Sequence, residues 1–75
     1  MLHESVASTR KEMTVKESEG FRVRLVKHEV LAVKGLFSLD IIQESLKDGE
    51  VTDSQTYNFF MTKSELNTLA HALTL

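Results

Sequence analysis

Apolar and polar positions alternate through the middle of this chain, and the alternation predicts strands. In FRVRLVK, Phe21, Val23 and Leu25 alternate with Arg22, Arg24 and Val26, a period of two in β-favouring residues. LAVKGLFSLDII continues the pattern. Leu31, Val33, Phe37, Leu39 and Ile41 share one parity, with Gly35 between them, and Ala32, Lys34, Leu36, Ser38, Asp40 and Ile42 share the other. Over 39–48 a helix is the competing reading, with Ser38 as its cap, Ile42 and Leu46 on one face and Gly49 as its stop. ESLKDGEVTDSQ reads as a loop region with Asp48-Gly49 as its turn signal. VTDSQTYNFFM is a last strand, with Tyr57, Phe59 and Met61 on one parity and Thr56, Asn58 and Phe60 on the other.

Register follows from keeping the faces unmixed. Placing Phe21, Val23 and Leu25 beside Val33, Gly35 and Phe37 sets Arg24 opposite Lys34 and leaves a connection centred on HEV (28–30). That connection lacks the Gly or Asn that a three-residue hairpin loop prefers, so a slightly longer loop in the same register is the alternative.

The pattern changes period at Thr62. Thr62 and Glu65 have the spacing of a capping box, and Met61 with Leu66 has that of a hydrophobic staple. Leu66, Leu69, Ala70 and Leu73 then fall at i, i+3, i+4 and i+7, the stripe of an amphipathic helix. A helix of about three turns is marginal alone in water, so the stripe is expected to dock on the Phe37/Leu39/Tyr57/Phe59 side of the sheet. The expected fold is α+β: a three- or four-stranded antiparallel sheet with the C-terminal helix packed on one face.

Met1 to Gly20 is polar and has no sustained period. Leu2, Val6 and Met13 hint at a helical stripe, while Met13 and Val15 alternate as a strand would. The segment 1–20 is therefore expected to be a flexible tail or to add one edge strand or helix to a single compact domain spanning 21–75.

Composition narrows the classes. Seventy-five residues make one small domain with a thin core. Cysteine is absent, which removes thiol catalysis, disulfides and cysteine-ligated metals and suits a reducing cytoplasm. No apolar run approaches the length of a membrane span. Nine basic and eleven acidic residues are interleaved to a net charge of −2, without the basic excess typical of nucleic-acid binders.

Candidate chemistry is sparse. His3, His28 and His71 are scattered and lack metal-ligand spacing. His71 falls near the helix C-terminus, where a positive charge suits the macrodipole. The carboxylates Glu17, Glu19, Glu29, Glu44, Asp48, Glu50 and Asp53 lie in predicted loops and tails for the most part, with no apolar surroundings to make an acid–base pair. The glycines stand singly, and no serine has a nucleophile-elbow context. These features predict a chain that is not an enzyme and takes no cofactor.

One short helix cannot cover both faces of a sheet. The face opposite the helix, with Arg22, Arg24, Lys34, Leu36, Ile42, Asn58 and Phe60, is the candidate interaction surface. It would be shielded by residues 1–12 or occupied by a partner, either another protein or a second copy in a homodimer. The favoured function is a small cytoplasmic interaction module that self-associates through an uncovered sheet face or a strand edge. Nucleic-acid binding is the alternative: Arg22, Arg24 and Lys34 would meet phosphates and Phe60 would stack on a base. The order of three strands then a helix resembles the double-stranded-RNA-binding architecture in topology alone. The basic cluster opening that family's last helix is missing, since TKSEL offers only Lys63.

Overall fold

The computed structural model describes residues 10–75. The parts of the N-terminal reading that concern Leu2, His3, Val6 and cover by residues 1–12 fall wholly or largely outside that range. Four strands, β1 (Lys11–Ser18), β2 (Phe21–Glu29), β3 (Leu36–Lys47) and β4 (Glu50–Thr62), precede one helix, α1 (Lys63–Leu73). The sheet is an antiparallel meander in the order β1-β2-β3-β4. The chain is thus α+β with a four-stranded sheet. Residues 11–18 form an edge strand, so the first described element is not the helix that double-stranded-RNA-binding topology would place there.

The turns explain most of the departures from the expected register. Asp48 and Gly49 both have positive φ, 55° and 82°, the signature of a two-residue type I′ hairpin, whose twist matches that of the flanking strands. The expected loop over 44–55 contracts to these two residues, β3 runs on to Lys47 as a strand rather than a helix, and β4 starts at Glu50. Between β2 and β3 the connection is six residues, 30–35, rather than HEV. Val30 N–H donates to the Leu36 carbonyl at 2.9 Å, and Gly35 sits at φ 83°. Gly35 supplies the left-handed residue that HEV lacks, and the pairing slides accordingly.

Arg24 therefore lies opposite Ile42, not Lys34, and Leu25 opposite Ile41. Leu31 and Val33, expected on a core face, are exposed in the loop at 62% and 50%. The β3–β4 ladder sets Ile41 opposite Tyr57, Leu39 opposite Phe59 and Ser38 opposite Phe60. All three ladders keep like parity together through most of their length. One face thus carries odd-numbered residues and the other even-numbered ones, called here the odd and even faces.

α1 begins where its sequence says it should. Thr62 Oγ1 accepts from the Glu65 N–H at 3.2 Å, and Glu65 Oε1 accepts from the Thr62 N–H at 2.9 Å. Met61 and Leu66, the staple positions, are both half-buried. The helix then leaves the sheet. It touches the sheet chiefly at the end of β4, it holds no buried residue, and Leu73 is 75% exposed.

The molecule is accordingly flat, 41 × 41 × 16 Å. Its radius of gyration is 14.4 Å, where a compact chain of this length has about 11 Å. Among the described residues just two apolar side chains, Val26 and Leu39, are buried. None of the described helices is long and apolar enough to cross a membrane.

Candidate interaction surface

The even face is built around a buried carboxylate. Glu44, on β3, pairs directly with Arg22 and lies diagonally from Arg24, both on β2. Arg22 Nε donates to Glu44 Oε1 at 2.7 Å, and Arg24 donates from Nε and Nη2 to the two oxygens of Glu44, each at 3.1 Å. Arg24 Nη1 also reaches Glu12 on β1, which accepts from Arg10 at 2.9 Å. The result is a chain of charge-assisted bonds laid across three strands.

The Glu44 side chain is 7% exposed against 28% for Arg22 and 23% for Arg24, so the arginine stems roof it. Hydrogen bonds from Arg24, then from Arg22, hold the Glu44 carboxyl below its ordinary value of 4.5. Those from Arg24 and Arg10 do the same for Glu12. Arg24 is pushed higher in turn, by Glu44 first and Glu12 second.

Beyond the arginines the even face is polar with apolar islands. Asn58 Nδ2 donates to Ser38 Oγ at 2.8 Å and also to Asp40 Oδ1. Among the described residues no buried side-chain polar atom lacks a partner. Six of the seven residues singled out from sequence lie on it: Arg22, Arg24, Leu36, Ile42, Asn58 and Phe60. Lys34 does not. It lies in the β2–β3 loop, displaced by the longer connection. Phe60 is 61% exposed, opposite Ser38 and two residues from Asn58.

The odd face is the more apolar side. It carries Met13 from β1, Phe21, Val23 and Leu25 from β2, Phe37, Leu39 and Ile41 from β3, and Tyr57, Phe59 and Met61 from β4. Lysines shield two of its margins: Lys27 Nζ lies 5.4 Å from the Phe37 ring centre and Lys16 Nζ 5.9 Å from that of Phe21. The remainder is open, with Met13 65%, Tyr57 48% and Phe59 44% exposed. Between β1 and β3 it dips into a groove of about 400 Å³ lined by Lys11, Glu12, Met13, Leu25, Lys27 and Leu39.

Sequence reasoning assigned this face to the helix and so passed over it. The face stays open because of the junction, whose place the sequence marks but whose length it does not. Thr62 is at once the last ladder residue of β4, opposite Leu36, and the N-cap of α1, which leaves no residue for a reversing turn.

The two sheet edges differ. β1 carries Lys11, Glu12, Lys16 and Glu17 and a bulge at Val15, devices that blunt an edge. β4 has its irregularity at Thr52, and from Ser54 to Met61 it carries neither charge nor proline. No protein family, curated protein or solved structure matches this chain.

Proposed function

We propose that this chain is a non-enzymatic interaction module that works as a homodimer, assembled by covering the odd face of its sheet. The observation that carries this reading is the open odd face, where Met13, Tyr57 and Phe59 stand 65%, 48% and 44% exposed on one continuous sheet surface. Contiguous exposed apolar surface of this kind is uncommon on a monomer. A cysteine-free chain of this kind suits the cytoplasm. The expected packing of α1 on a sheet face belongs to the same proposal, as one way of covering the odd face.

The nucleic-acid alternative has less support. Arg22 and Arg24 are engaged by Glu44 and Glu12, so a phosphate would have to displace carboxylates already in place. Lys34, the third cation, stands apart from them in the loop.

Mass in solution tests the proposal. Light scattering at micromolar concentration should give twice the 8.5 kDa chain mass. Phe59→Glu, on the odd face, should reduce it to that of one chain, and Phe60→Glu, on the even face, should not. A monomeric wild type would end the reading. Dissociation by Phe60→Glu alone would move the interface to the even face.

A further inference from the structure

The odd face is largely uncovered, and the apolar stripe of α1 meets its own sheet chiefly at the end of β4, with Leu66 and Leu69 half-buried and Ala70 and Leu73 exposed. Both belong to one chain, yet within that chain the stripe leaves most of the odd face open. The junction gives the reason. A helix that folds back over the sheet it follows needs a connecting segment, commonly of about two to six residues. Here the connection has no length, because Thr62 is still paired with Leu36 while its side chain caps the helix. The N-cap backbone is extended, at φ −75° and ψ 168°, and the reciprocal Thr62–Glu65 bonds hold the first turn of α1 to the end of β4. The helix is held at the end of its own sheet, with Leu73 75% exposed.

We infer, on the basis of the homodimer reading above, that the cover is exchanged: α1 of each copy lies across the odd face of the other. The dimensions agree. An eleven-residue helix is about 16 Å long, enough to cross three strands spaced about 4.8 Å apart. Its stripe, Leu66, Leu69, Ala70 and Leu73, is the chemical complement of Leu25, Leu39, Tyr57 and Phe59. The groove beside Met13 and Leu39 is a recess for it.

The exchange is reciprocal, so a two-fold axis closes it and both copies bury the same surfaces. A second copy is also the occupant for which the chain supplies both halves of the contact. The connection acts as a hinge too short for self-closure, the circumstance in which segments swap between protomers.

The test uses the full chain. An equal mixture of ¹³C-labelled and unlabelled protein is refolded together, and isotope-filtered NOEs report contacts between copies alone. The expected result is intermolecular NOEs from the methyls of Leu66, Leu69 and Leu73 to the rings of Tyr57 and Phe59. Intermolecular NOEs confined to sheet against sheet, or to α1 against α1, would overturn the exchange and leave the homodimer standing. A monomeric mass would remove both.

A second variant addresses the junction itself. Insertion of Gly-Ser-Gly-Ser between Met61 and Thr62 keeps the capping box and gives the helix room to turn back. The mass should halve, with the same helix-to-sheet NOEs now found within one chain. A dimer of unchanged mass would overturn the role assigned to the junction.

Discussion

Glu44 shows how one carboxylate ties strands together across a sheet face. Its three hydrogen bonds from Arg22 and Arg24 tie β2 to β3, and Glu12 extends the tie to β1. Both carboxyls are held below their ordinary value. A depressed carboxyl contributes stability that is present above its unfolded value and is lost as pH falls through the folded one. The unfolding midpoint should therefore drop as pH is lowered below about 4.5, measured by circular dichroism melts at fixed ionic strength. Glu44→Gln should be less stable than wild type at neutral pH and should show a flatter acid limb. An acid limb of unchanged slope would remove Glu44 from this role.

Thr62 is the other residue with a disproportionate part. Thr62→Ala leaves the Glu65 N–H without its acceptor and should cost about 1 kcal/mol in chemical denaturation. If the same change also weakens the proposed dimer, the cap is acting on the direction of α1 as well as on its start.

At the level of elements, turn chemistry decides strand length. Asp48 and Gly49 close β3 onto β4 through two left-handed residues, so Gly49→Ala should destabilise the hairpin by about 1 kcal/mol. Nothing lies within 4 Å of the Cβ it would add. The penalty is therefore conformational, and a denaturation midpoint that does not move would contradict the turn assignment. β1 and β4 are edges of opposite character. β1 is charged and bulged, while β4 is long and uncharged through the stretch that faces Leu39 and Ile41. An uncovered β4 is the part of the sheet most open to unwanted pairing. Substitutions that would break the proposed dimer, Phe59→Glu among them, are expected to be less soluble than wild type even though they add a charge.

For the whole molecule, the shortage of core is the governing fact. Among the described residues two buried apolar side chains do little to offset the ordering of four strands and a helix, so in the proposed homodimer folding and assembly would be coupled. If the chain assembles as proposed, mass action makes the melting temperature rise with protein concentration. A scan from low micromolar to high micromolar chain should show that rise, whereas a stable monomer would melt at one temperature throughout.

Parity, caps and turn residues were legible in the sequence because each rests on local geometry. Alternation sorted Phe21, Val23, Leu25, Leu39, Tyr57 and Phe59 onto one side and Arg22, Arg24 and Phe60 onto the other. That sorting survived a register error of eight residues because eight is even, and an even slip returns every side chain to its own face. Thr62 and Glu65 are three residues apart, and Asp48-Gly49 closes its turn from adjacent positions, so neither depends on the rest of the chain.

Register itself needed the long β2–β3 connection and Gly35, which alternation alone could not weigh against HEV, and Lys34 left the sheet with it. The fate of the helix was decided later still. Its stripe and the face it suits were both readable, but whether they meet within one chain depends on the length of the junction in three dimensions. Only the folded sheet, with Thr62 still in its ladder, shows that length to be zero.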